Sequence, residues 1–363
     1  DLAFAADGEL FLTERTGRLL RYESGEVAEA TRPRDAIDAE ALPPGSDEDS
    51  WLVEGGEGGT MGVAVHPNYP DIRMVYVYYT AEADDGRVNR LAMLDMSEDE
   101  PGANATTLLE APADTYHNGG RIGFGPANYL WVTTGDALSD TAAQDPSTLA
   151  GAILRVTPTG EPAPDNPDIG DDADPRVFTY GHRNSQGIAW LPDAQPVISE
   201  HGGPPDEINL LTAGENYGWP STRQPGEYPD SGHHPPVASS AVHEGGWPPA
   251  GCVFYTGESV PALQNRLLVG TLVSQVLKVF TLTPPDGDPP PLGETGVRYE
   301  GEWLDDRYTA TSHDLLDDEL GRIRHVEQGP NGDLYAITSN RDGRAEGKFP
   351  TERDDKLVRI SQA

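Results

Sequence analysis

The chain has 363 residues, 61 acidic against 25 basic side chains, a formal net charge of −36 and one cysteine, Cys252. A surface of that sign repels nucleic acid and anionic membranes. A single thiol excludes an intrachain disulfide and a thiolate metal cluster, and no apolar run approaches the roughly 18 residues of a membrane helix.

Only Lys278, Lys348 and Lys356 are lysines. Regular strand patterns argue against a disordered acidic chain. A dense carboxylate surface suits molar salt, where self-repulsion is screened within about 3 Å. The expectation is a protein of a high-salt organism, extracytoplasmic and either secreted or associated with the cell envelope. No signal peptide is visible; the chain opens directly on a strand-like pattern, as after removal of a leader.

Abundant glycine (41) and proline (33) suit many short strands joined by turns. One phrase recurs: an apolar strand, a Gly/Pro/Asn/Asp turn, a second strand and a third. It occupies residues 2–13 and 17–22, then 61–68, 74–80 and 90–96. It returns at 120–136 and 151–156, and at 187–192, 196–200 and 207–211. The last copies are 251–255, 265–270 and 277–282, then 323–337 and 356–360. Six copies point to radial repetition. The expected fold is all-β, a six-bladed β-propeller with four-stranded antiparallel blades around a central axis, as one domain over residues 1–363. The excess length falls in loops at 34–59, 157–175, 217–246 and 304–321, where binding groups usually gather. Residues 284–292, rich in proline, read as a connector.

Four segments carry candidate chemistry. Residues 116–121 set His117 and Asn118 on a glycine-rich turn before a strand at 129–134, a placement suited to meeting a ligand at the end of a sheet. Residues 180–187 pack Arg183, Asn184 and Gln186 between glycines. Residues 199–209 carry the bend Gly202-Gly203 beside Asp206 and Glu207, oxygen donors of the kind hard cations take. Arg322 and Arg324, two apart, share one face of a strand. In a chain so poor in cations, Arg183, Arg322 and Arg324 suit an anion pocket, since Arg grips carboxylates in a planar, bidentate way.

Taken in order, His117-Asn-Gly-Gly-Arg-Ile, Gly181-His-Arg-Asn-Ser-Gln-Gly, Glu200-His-Gly-Gly with Asp206-Glu-Ile-Asn, Asn216-Tyr-Gly-Trp-Pro and Gly321-Arg-Ile-Arg resemble the soluble aldose sugar dehydrogenases that use pyrroloquinoline quinone, the glucose/sorbosone dehydrogenase family. The resemblance spans nearly the whole chain and implies a six-bladed propeller. It implies oxidation of the C1 hydroxyl of aldose sugars to lactones, with hydride passing to the quinone, Ca²⁺ as Lewis acid and an external electron acceptor. By the same resemblance His117 is the general base. Arg183, Asn184, Arg322, Arg324 and Asn118 are cofactor contacts, and Glu57 and Tyr116 lie near the substrate. The carbonyls of Gly202 and Gly203 match the pair that binds the catalytic Ca²⁺, and Glu207 with the Tyr217 carbonyl matches a second, structural calcium site.

The chain departs from that pattern at two places. Gly203 replaces a proline in a loop one residue shorter, and Val273 stands where the family carries a lysine against the quinone, with Lys278 further along in the next strand. Two other readings stay open: a partner-binding propeller that has lost the cofactor, and a calcium-dependent lactonase.

Overall fold

The computed structural model describes residues 1–23, 25–37, 56–84, 86–203, 205–242 and 245–361. Most of the expected loop at 34–59 and part of the acidic bend, Pro204, lie outside them. Six antiparallel sheets follow one another along the chain, which makes the fold a six-bladed β-propeller. They fall into two compact units, residues 1–180 and residues 181–363, with three sheets in each.

In the first unit, sheets I, II and III begin with the strands Leu2–Phe4, Thr60–Val65 and Ile122–Phe124. In the second, sheets IV, V and VI begin with Ser185–Trp190, Pro249–Tyr255 and Ile323–Gln328. Each first strand is an edge of its sheet, and later strands add outward.

The cores follow from strand alternation. In Met74–Ala83 of sheet II, Val75, Val77 and Tyr79 pack with Phe11 and Leu19 of sheet I, while Tyr76 and Tyr78 pack with Leu130, Val132 and Leu154 of sheet III. Successive side chains leave a strand on opposite faces, so an aromatic, β-branched run is what a strand between two sheets requires. Sheet V repeats this: Leu267 and Val269 pack with sheet IV, and Leu268 packs with sheet VI. Truncating a side chain as buried as Leu268 to alanine costs about 2–5 kcal/mol.

Four-stranded blades were expected throughout; sheets I to IV have four strands, sheet V has five and sheet VI has three among the described residues. The expected loop at 304–321 contains the strand Thr309–Leu315, and Val297–Tyr299 adds outside it. Thr309–Leu315 is polar and its last three residues are not buried, so it carries no apolar run. Residues 284–292 form turns and coil before Val297–Tyr299.

Candidate functional site

The candidate residues occupy equivalent places in their sheets. Glu57 precedes the first strand of sheet II, Tyr116, His117 and Asn118 precede that of sheet III, and Arg183 and Asn184 precede that of sheet IV. Arg322 and Arg324 open sheet VI. Gly202, Gly203 and Glu207 lie at the turn joining Pro196–Glu200 to Glu207–Leu210, at the end of sheet IV where Ser185 pairs with Glu200.

In the first unit, His117 Nδ1 lies 2.7 Å from Asp136 Oδ1. The two residues meet because the hairpin register Phe124↔Leu130 and Ile122↔Val132 runs on past the strands, so that Ala137 N donates to His117 O at 3.1 Å. Gly135 makes the approach possible: a Cβ there would sit 1.8 Å from His117 O. His117 holds a left-handed backbone, φ +59°, a conformation that costs about 1–3 kcal/mol in a non-glycine residue. Its own N–H donates to Glu57 Oε2 at 3.0 Å, which helps to hold it there. Asp136 is 1% exposed, and its Oδ1 also accepts from Leu138 N at 3.0 Å. A carboxylate oxygen can only accept, so Nδ1 carries the proton, and in the neutral imidazole the lone pair is on Nε2.

Asn118 is buried and works within the turn. Its Nδ2 donates to Asp114 O at 2.7 Å, and its Oδ1 accepts from Asn89 Nδ2 at 2.9 Å and from Asp114 N at 3.2 Å. Tyr116 is 38% exposed.

In the second unit, Arg183 N donates to Glu200 Oε1 at 2.8 Å, and its Nη1 donates to His201 O at 2.8 Å. The guanidinium lies 5.2 Å from the centre of the Trp219 ring. Asn184 is buried and its carbonyl accepts from His201 N at 3.0 Å.

Arg322 and Arg324 do share a face, and both reach one carboxylate. Arg322 Nε and Nη2 lie 3.0 and 2.8 Å from Asp342 Oδ2, and Arg324 Nη2 lies 3.4 Å from it. Burial opposes ionisation of Asp342, but the two guanidiniums and their hydrogen bonds hold its carboxyl below the usual range. Arg322 is 3% exposed and also donates to Leu272 O at 3.3 Å, so a protein carboxylate takes the grip expected for a cofactor. Arg324 has its side chain 24% exposed and places Nη1 on Gln186 Oε1 at 3.1 Å. Lys278 does not replace the missing lysine: its Nζ lies 2.5 Å from Asp314 Oδ1, its cross-strand partner, while Val273 is 60% exposed.

The two oxygen-donor sets differ in their fit to a cation. Among the described residues no three carboxylates, imidazoles or thiolates are grouped to hold a metal. At the expected catalytic set, Gly202 O accepts from Arg223 Nη2 at 3.3 Å. Gly202 N turns to Asp206 Oδ1 at 3.1 Å, and Asp206 Oδ2 takes Trp247 N at 2.7 Å. This arrangement presents a positive group to the carbonyl expected to bind Ca²⁺, and it does not fit that ion.

At the expected structural set, Glu207 has the chemistry a hard cation takes. Glu207 is buried, paired across the strands with Glu200, and accepts from Tyr228 OH at 2.8 Å. Burial, and then the charge of Glu200, push its carboxyl up to about 8. Such a group gains from a proton or a hard cation. Tyr217 lies between the rings of His182 and His234, with centroids at 4.5 and 5.1 Å.

Asp136, Asp342 and Arg223 are among the residues of these networks not expected from sequence. Only Asp136 had a usable signal, since counting back along the hairpin from the 129–134 strand sets it beside His117.

A family model described as Glucose / Sorbosone dehydrogenase matches residues 1–347. The chain is 28% identical to the aldose sugar dehydrogenase YliI of Escherichia coli K12, over 94% of this chain and 87% of that one. It is 29% identical to the quinoprotein glucose dehydrogenase B of Acinetobacter calcoaceticus, over 64% of this chain and 52% of that one. Among solved structures, the PQQ-bound aldose sugar dehydrogenase of Streptomyces coelicolor superposes with a TM-score of 0.74 at 28% identity, covering 99% of this chain and 92% of that one.

Proposed function

Because this chain belongs to the glucose/sorbosone dehydrogenase family, we propose that it is a quinone-dependent oxidoreductase that oxidises the C1 hydroxyl of aldose sugars to lactones. The observation that carries the reading is the His117–Asp136 pair at the end of sheet III, with Nδ1 tied at 2.7 Å.

His117 Nε2 takes the proton of the sugar hydroxyl. Asp136 fixes the tautomer and the ring plane, and stabilises the imidazolium that forms. A general base so placed is worth about 10²–10⁴-fold in rate. Glu57 supports His117 through its backbone N–H, and the exposed ring of Tyr116 stands beside it in the chain as a wall for the sugar. Pyrroloquinoline quinone, when bound, supplies the hydride acceptor. Its planar, anionic character suits Arg183, set near the indole of Trp219, and the partly exposed guanidinium of Arg324. Arg322 and Asp342 hold Arg324 in place, and Asn118 and Asn184 hold the turns that carry His117 and Arg183. Glu207 with the Tyr217 carbonyl would hold a structural calcium, which neutralises the buried acidic pair. An external acceptor would reoxidise the cofactor, and an extracytoplasmic, high-salt setting belongs to the same proposal.

The test is turnover: purified chain with the quinone, in high salt, bleaches an acceptor dye on addition of an aldose, and His117→Ala stops the bleaching while retaining cofactor. Unchanged turnover in His117→Ala refutes the role given to His117. The exposed Val273 favours one other reading, a propeller that binds a partner without the quinone; a chain that leaves the quinone spectrum unshifted is that protein.

A further inference from the structure

We propose that Arg223 replaces a divalent cation at the Gly202-Gly203 turn, so that this chain binds its anionic quinone without calcium at that point. The inference rests on the quinone-dependent reading above.

Arg223 Nη2 donates to Gly202 O at 3.3 Å. Calcium requires six to eight oxygens at about 2.3–2.6 Å, and it would have to displace or share this carbonyl with a guanidinium. The neighbouring residue is backed by positive charge as well: a Cβ on Gly203, whose φ is +60°, would lie 2.8 Å from Arg183 Nη2. A cation entering the turn therefore meets charge of its own sign from Arg223 and Arg183. The carboxylate of Asp206 has one oxygen on Gly202 N and the other on Trp247 N.

Arg223 is held in this position. Its guanidinium carbon lies 4.1 Å from the centre of the Trp219 ring, a cation–π distance. Trp219 is anchored by its backbone N–H, which donates to Gly181 O at 2.9 Å. The backbone N–H groups of Arg223 and Gln224 both donate to Glu227 Oε2, at 2.6 and 2.8 Å. Trp219 thus carries a guanidinium beside each residue of the turn. Position 273 has a valine in place of a cation, and Arg223 supplies one positive charge at the turn. A guanidinium adds directed N–H donors suited to carboxylate and quinone oxygens.

The test is equilibrium binding of pyrroloquinoline quinone, followed by its absorbance shift, with chelator or with excess calcium. It is run on the wild type and on Glu207→Gln, which removes the second calcium response. The expected affinity is the same within about twofold with or without calcium. Arg223→Gln lowers the calcium-free affinity by about tenfold or more, as loss of a charged hydrogen bond does, and Arg223→Lys keeps most of it. Thermal melting confirms that each variant is folded. A calcium-dependent gain of tenfold or more in the wild type, or unchanged affinity in Arg223→Gln, overturns the proposal while the quinone reading stands. Absence of quinone binding under both conditions overturns both.

Discussion

Asp136 Oδ1 accepts from His117 Nδ1 at 2.7 Å, across a separation of nineteen residues in the chain. The pair sets the imidazole tautomer, so Asp136→Asn, whose side chain can also donate to Nδ1, favours the wrong one. Dye-reduction kinetics are expected to show kcat falling by about 10²–10⁴-fold with little change in KM. A variant with wild-type kcat would remove Asp136 from the mechanism.

The Arg322–Asp342–Arg324 cluster is a charge network in which Arg322 and Asp342 are buried and Arg324 is partly exposed. Asp342→Ala leaves two guanidiniums facing each other and is expected to cost about 3–5 kcal/mol in denaturant unfolding. Asp342 has a folded pKa below its unfolded value. Its contribution is therefore present above the unfolded value, about 3.9, and is lost as pH falls through the folded one. Between pH 5 and the acid limit of that window, the wild type should lose more stability than Asp342→Asn. Parallel pH profiles would contradict this.

The inner strands of the propeller were legible because strands such as Thr60–Val65 and Met74–Ala83 are buried and write apolar runs into the sequence. The outer strands were not. Glu26–Thr31 and Thr106–Pro112 are largely exposed, so polar residues satisfy them and no pattern remains. The site divides in the same way. His117 and the arginines stand in local motifs. Their partners Asp342 and Arg223 come from loops whose paths follow from tertiary packing, and so the sequence assigned Arg322 to the cofactor and the Gly202 carbonyl to calcium.

Glu207 provides a metal-removal test. Its carboxyl is raised to about 8 by burial and by Glu200, and calcium there replaces a proton. At pH 8 a chelator should lower the melting temperature, and calcium at a hundredfold over its Kd should restore about 2.7 kcal/mol. In Glu207→Gln the calcium response should vanish. A Glu207→Gln chain that responds like the wild type would move the ion elsewhere.

A net charge of −36 predicts a further dependence. Self-repulsion is screened within about 10 Å at 0.1 M salt and about 3 Å at 1 M. The melting temperature should rise steeply between about 0.1 and 3 M salt. A flat profile would contradict the high-salt origin.

The most direct measurement of the account is sugar-dependent reduction of an acceptor dye by the purified chain reconstituted with pyrroloquinoline quinone in high salt, run beside His117→Ala. The account predicts bleaching by the wild type with aldoses and none by the variant, with the quinone bound in both. Bound quinone with no bleaching by the wild type, or equal bleaching by the two chains, would contradict it.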